Sequence, residues 1–266
     1  MTCSRPIRVA LALSLAAFIS SVAVPVSGRG GQDLTGERLA RSRTEPQNWP
    51  TYFGAYDGWR YSPLNQIRAD NVKSLVSVWA FQTGKIDGGL NATPIVVDGI
   101  MYLIASEDRV FGLNAATGER LWTYNYKVPR GFVSPYGKFN RGVAVGYGMV
   151  FFGTMDNHVV ALDGKTGKEV WNVEVEDIKK CGCNINGAPI LVKDKVVVGG
   201  TGGDSAHRGY INAFNARTGR LAWRFYTIPG PGEPGNETWG PGEMWKYGGG
   251  STWLTGSYDP ELNLIY

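Results

Sequence analysis

The chain has 266 residues, of which 19% are charged and 12% aromatic, with 37 Gly and 9 Trp. So little charge beside so much Gly and Trp excludes a disordered chain and points to an all-β fold. The net charge of +4 comes without a basic stripe interleaved with aromatics, which argues against nucleic acid as a partner.

Arg5 and Arg8 precede an apolar run from Val9 to Val24, with small residues at Ser21/Ala23 and Val26/Gly28. This pattern reads as a secretory signal peptide over residues 1–28, with an uncleaved anchor as the alternative. Cys3 lies ahead of the run, where it is not a lipidation site. Residues 29–45 are polar and charged and read as a mobile linker. An aromatic, turn-rich segment follows over Trp49–Ile67.

A phrase then recurs three times, as Leu113–Trp122, Leu162–Trp171 and Phe214–Trp223. Each holds Asn or Asp, then Thr-Gly, then Trp four residues after the glycine. The glycines are Gly118, Gly167 and Gly219, spaced 49 and 52 residues apart, and Trp79 is a weaker partner 43 residues before Trp122. Each phrase predicts a hairpin whose glycine takes φ > 0. Two apolar runs precede it: in the first unit Pro94–Gly99 and Ile100–Ala105, in the third Pro189–Val192 and Val196–Val198. Four strands per roughly 50 residues, repeated, predict a β-propeller. The recurrent Trp is expected to pack between neighbouring blades. About four blades fit from residue 46 to 266. The last stretch, Ser257–Tyr266, stops inside a strand, so the chain is expected to be the N-terminal part of a longer protein.

Three stretches stand out from the repeats. Cys181-Gly-Cys183 suits a small-ring disulfide, two buried thiols or a soft metal. Gly199–Tyr210, reading GGTGGDSAHRGY, joins two predicted strands. Taken alone it is an ordinary hairpin or a cofactor cradle with Asp204 on its rim. Tyr226–Gly250, with four prolines, is too long for a blade turn and is expected to build a binding face. His158 is expected to be exposed at a turn, and His207 to be a loop residue.

The Thr-Gly-x-x-x-Trp repeats, Arg60–Ile67, Asn140–Ala144, Arg208–Tyr210 behind Gly-Gly-Asp, and Trp253–Tyr266 together resemble the periplasmic pyrroloquinoline quinone (PQQ)-dependent alcohol dehydrogenases. The resemblance runs from about Trp49 to Tyr266 and implies half of an eight-bladed propeller. It implies PQQ with Ca²⁺ or a lanthanide as cofactors, an alcohol substrate, and electrons leaving to a cytochrome c or a membrane quinone. Arg141 matches the arginine that pairs with a cofactor carboxylate, and Trp253 the tryptophan that stacks on the quinone. Asn91, Asn186, Thr201, Gly202, Gly203 and Ser251 match further cofactor contacts, and Asp204 the metal carboxylate.

The sequence departs from the family pattern in four places. Pro135-Tyr136 stand where a vicinal cysteine pair is expected. Asp204 replaces the commoner Glu, Asn91 replaces Glu, and Asn186 replaces Thr. Cys181 and Cys183 are close enough in sequence to Asn186 to supply a disulfide near the cofactor by another route. The catalytic aspartate of the family is expected beyond Tyr266. The rival readings are a non-catalytic propeller scaffold that binds proteins and a quinoprotein acting on sugars.

Overall fold

The computed structural model describes residues 33–266. The signal-peptide reading of residues 1–28 lies outside them. The fold is almost wholly antiparallel β. Three sheets of four strands follow one another, each ordered as the chain runs. The first holds β1 (Ile95–Val97), β2 (Ile100–Ala105), β3 (Arg109–Asn114) and β4 (Arg120–Asn125). The second holds β5 (Ala144–Gly146), β6 (Met149–Gly153), β7 (His158–Asp163) and β8 (Glu169–Glu174). The third holds β9 (Ile190–Val192), β10 (Lys195–Gly199), β11 (Tyr210–Asn215) and β12 (Leu221–Tyr226). A two-stranded hairpin, β13 (Tyr258–Asp259) and β14 (Leu264–Ile265), opens a fourth unit. This is the predicted up-and-down propeller blade, three times complete. The second strand of each blade is nearly all buried, so its residues are continuously apolar rather than alternating.

The repeated phrase closes the β3–β4 hairpin and its equivalents. Asn114 Oδ1 accepts from the N–H groups of Ala116 and Thr117, and Asp163 and Asn215 do the same in their turns. That local bond is why Asn or Asp heads each phrase. A bulge follows in every blade, between Gly112 and Leu113, Ala161 and Leu162, and Ala213 and Phe214.

Trp79, Trp122 and Trp171 reach forward to the next turn. The Trp122 indole N–H donates to Gly164 O at 3.1 Å, and that of Trp171 to Ala216 O at 3.0 Å. The ring lies flat enough on the turn that a Cβ at Gly167 would stand 2.5 Å from Trp122. Trp79 sits on Gly118 and Trp171 on Gly219 in the same way. The period of about 50 residues thus records a plug in one blade and a socket in the next, which confirms the packing role expected of Trp122 and Trp171. Trp223 is 42% exposed.

Residues 33–45 are not a mobile linker. Leu34 and Leu39 are buried in the core. Helix α1 (Gly36–Ala40) is capped by Thr35, and Arg38 pairs with Glu45 and Asp98. The sequence concealed this because the anchoring partners are distant: Tyr147 N–H donates to Leu34 O, and Gly36 lies against the Lys193 backbone. The aromatic segment runs on from there. Trp49 bridges Val96, and the Tyr56 hydroxyl donates to Leu191 O at 2.6 Å.

Candidate functional site

The loops that join each β2-type strand to its β3-type strand, and those that lead into each blade, meet on one face. A relay of backbone bonds stitches them together: Thr93 N–H donates to Arg141 O at 3.0 Å, and Arg141 N–H to Asn186 O at 2.9 Å. The β10–β11 loop is the long one. Thr201, buried, is locked to Asn184: its N–H donates to Asn184 O, and its hydroxyl accepts from Asn184 N–H and donates to Oδ1 at 2.8 Å.

The insertion after β12 delivers the other wall. Arg208 lies over the rings of Tyr226 at 3.8 Å and Trp245 at 4.8 Å, and pairs with Glu233 at 3.0 Å. The chain returns parallel to it, with Gly209 N–H on Gly249 O and Gly249 N–H on His207 O. Residues 251–253 then cross directly over the glycine loop. A Cβ at Gly199 would meet Thr252 O at 2.1 Å, and one at Gly203 would meet Ser251 Oγ at 2.6 Å. Gly187 meets Trp253 O in the same manner, at 2.3 Å. These glycines are needed because two backbones touch there.

Arg141 is the centre of the cluster. Its guanidinium lies 4.5 Å from the Trp253 ring and 4.9 Å from the Phe139 ring. Nη1 donates to Asn186 Oδ1 at 2.8 Å. No carboxylate pairs with Arg141 among the described residues, and burial lowers its pKa from the ordinary arginine value. A half-buried cation without a counter-ion beside an exposed indole face has the chemistry of a receptor for a flat anion.

The structure therefore brings together Arg141, Asn186, Thr201, Gly202, Gly203, Ser251 and Trp253. Two predicted residues have free side chains among the described residues. Asp204 is exposed and Asn91 is exposed, and neither side chain makes a hydrogen bond among the described residues. Among those residues, the one group of three or more Cys, His, Asp and Glu side chains close enough to share an ion is Cys181, Cys183 and His207, and Asp204 is not in it.

The β-propeller-domain model described as PQQ, glucose/ethanol/alcohol dehydrogenase, matches residues 49–266. The chain belongs to the PQQ-dependent alcohol dehydrogenase family. It is 38% identical to the dehydrogenase subunit of a quinone alcohol dehydrogenase of Gluconacetobacter polyoxogenes, over 94% of this chain and 37% of that relative. It superposes on quinohemoprotein alcohol dehydrogenase ADHIIG of Pseudomonas putida with a TM-score of 0.79 at 38% identity, over 88% of this chain and 36% of that one. A europium-containing methanol dehydrogenase gives 0.78 at 36% identity, over 86% and 43%. The chain thus spans well under half the length of these relatives.

Within this PQQ dehydrogenase fold, the cysteine pair takes the disulfide form, Cys181 to Cys183, closing the reading that sequence left open. It lies beneath the glycine loop: a Cβ at Gly202 would stand 3.0 Å from both Cys183 Cβ and His207 Cβ. His207 is a loop residue as expected, and it is buried there, edge-on to Tyr210 at 5.1 Å. Burial and the nearby Arg224 push its pKa down to about 4, so the ring is neutral near pH 7. His158 is half-buried rather than exposed, opening β7 with Nδ1 on Asn172 Oδ1.

Asp108 was not singled out in the sequence, because a Glu-Asp pair between strands reads as a solvated turn. It is fully buried and bridges two blades: Oδ1 accepts from Asn140 Nδ2 at 3.1 Å and Oδ2 from Met155 N–H at 2.8 Å. Asn140 in turn holds the Gly142 N–H, so this brace fixes the backbone on both sides of Arg141. Desolvation outweighs the two donors and pushes the carboxyl up to about 7. Between the carboxylate range and pH 7 the folded state then binds the extra proton, so this group's contribution to stability falls as pH rises. His207, depressed to about 4, acts oppositely, and its contribution is lost as pH falls below 6.5. The two slopes offset one another in mild acid. His207→Gln should therefore expose the Asp108 slope, with denaturant midpoints falling from about pH 5.5 to pH 7, above the range in which the depressed carboxyls of Glu45, Asp98, Asp163 and Asp194 lose their contribution. A midpoint that is flat or rises over that range in this variant would contradict the buried-acid assignment.

Proposed function

We propose that this chain forms the arginine- and tryptophan-bearing part of an alcohol dehydrogenase that works with PQQ and a bound Ca²⁺ or lanthanide ion, and that passes electrons to a cytochrome c or a quinone. Secretion to the periplasm, from the signal-like segment, belongs to the same proposal, as does a catalytic aspartate outside this chain. The carrying observation is the Arg141 guanidinium, without a carboxylate partner among the described residues, held 4.5 Å from the Trp253 ring. The residues present fit a planar tricarboxylate. Arg141 supplies a two-pronged donor for one carboxylate, Trp253 a stacking face, and Asn186, Ser251 and Thr201 polar contacts at the rim. Glycines 199, 202 and 203 let the loop lie closely against Ser251, Thr252, Cys183 and His207. Asp204 offers a hard oxygen donor on the same loop. When bound, PQQ supplies a two-electron acceptor and the ion a Lewis acid. The chain's own residues bind and orient; Asn186 aims the guanidinium, and residues 251–253 pack against the loop. Membership of a dehydrogenase family favours this reading over the protein-binding scaffold, and the relatives named above are alcohol rather than sugar dehydrogenases.

The test is PQQ binding to the intact protein followed by titration. Arg141→Gln removes a charge-assisted hydrogen bond of about 1.5–3 kcal/mol, so Kd should rise about ten- to a hundredfold. Arg141→Lys should recover part of this, since Lys keeps the charge without the fork. An unchanged Kd in Arg141→Gln would remove the assignment.

A further inference from the structure

Beneath the proposed cofactor loop lies a second set of donors that the dehydrogenase reaction does not use. Cys181, Cys183 and His207 are each at least 95% buried, and their ligand atoms all lie within 4.8 Å of one another. The His207 Nε2 is a buried polar atom without a hydrogen-bond partner among the described residues. Such an orphan is costly unless something binds it. Cys181 Sγ already accepts from N–H groups: Cys183 N–H reaches it at 3.2 Å, and Asn157 Nδ2 at 3.7 Å. The Tyr210 hydroxyl stands 3.5 Å from Cys183 Sγ, and the Arg224 guanidinium lies 4.8 Å from the Tyr210 ring.

We propose that Cys181, Cys183 and His207 form, once the disulfide is reduced, a buried site for a soft d¹⁰ ion, Cu⁺ or Zn²⁺. Donors on one such ion sit roughly 3.5–3.8 Å apart, within the present spread once the sulfurs separate. Two thiolates and a neutral imidazole are the ligand types these ions select. Three donors complete a trigonal Cu⁺ site, and Zn²⁺ would add a water. The switch balances with an external reductant. A phosphine and one water take the disulfide to two thiols and a phosphine oxide, and the two thiol protons leave as the ion binds. The disulfide form keeps the site closed. This inference is independent of the PQQ reading, since none of the three side chains belongs to that set.

The experiment is metal titration of the intact protein before and after phosphine treatment, with two free thiols counted by alkylation in the treated sample. Zn²⁺ and Cu⁺ are added separately against chromophoric chelators, and Co²⁺ reports thiolate ligation by its charge-transfer band. The expected result is one ion per chain, only after reduction, with both thiols then protected from alkylation. Cys183→Ser should abolish retention. His207→Gln should weaken it by more than the roughly 10–100-fold that loss of a supporting outer-sphere group costs. Equal retention in the disulfide form, no retention with two thiols counted, or full affinity in His207→Gln would each overturn the proposal. So would unfolding on reduction, followed by circular dichroism, that added ion does not reverse.

Discussion

Asp204→Ala in the intact protein is expected to abolish metal-dependent alcohol oxidation while leaving the blades folded. The side chain is exposed and bonds to nothing among the described residues, so its removal should change stability by no more than the usual surface range of about 0.5 kcal/mol. Its chemistry is another matter. A hard cation held on a glycine loop depends on few oxygen donors, and loss of the only carboxylate on the loop cannot be compensated by backbone carbonyls of lower charge. Excess Ca²⁺ or lanthanide should therefore fail to restore turnover. Asp204→Glu keeps the charge and should retain activity at higher metal concentration. The two measurements are the initial rate against metal concentration with PQQ saturating, and the thermal midpoint. Undiminished rates in Asp204→Ala would remove Asp204 from the site.

Trp122→Ala should be the most damaging single change to the scaffold. The indole is 8% exposed, covers the Gly167 turn and donates to Gly164 O. Replacement opens a cavity on the blade interface and leaves Gly164 O with the Tyr102 hydroxyl alone, at about 3–5 kcal/mol. For a domain of this size that corresponds to a fall in Tm of about 6–20 °C. Trp223→Ala, at the same place in its own phrase, should cost about 1 kcal/mol or less in this chain, because that indole is 42% exposed and makes no hydrogen bond among the described residues. Equal losses from the two would show that the Trp acts within its own blade rather than on the next. Calorimetry on the pair separates the cases.

The blades were legible in the sequence because their determinants are local. The Asx bond, the positive-φ glycine and the forward-reaching Trp lie within about ten residues of one another, and they repeat. The segment at 33–45 was not legible, because its backbone is anchored by Tyr147 and Lys193, more than a hundred residues away. The site was legible in part. Arg141 and Trp253 could be paired only through resemblance, since no periodicity links residues 112 positions apart. The loop position of His207 was legible but its burial was not, because a histidine among glycine, serine and aspartate shows no apolar pattern. Its burial comes from the returning strand at Gly249, whose course a run of prolines and glycines does not disclose. Asp108 was missed for the related reason that its donors come from two separate loops.

The relay Thr93–Arg141–Asn186 has a consequence for binding thermodynamics. The Arg141 peptide is held through both its N–H and its C=O, and Asn140 and Asp108 immobilise the neighbouring units. The backbone entropy of placing this cation, about 1–2 kcal/mol per residue, is thus spent during folding rather than at ligand capture. The side chain, lying between two aromatic faces with one hydrogen bond, has few rotamers left to lose. An anion arriving at this face meets a preorganised receptor, so its association should carry a favourable enthalpy little offset by ordering of the protein.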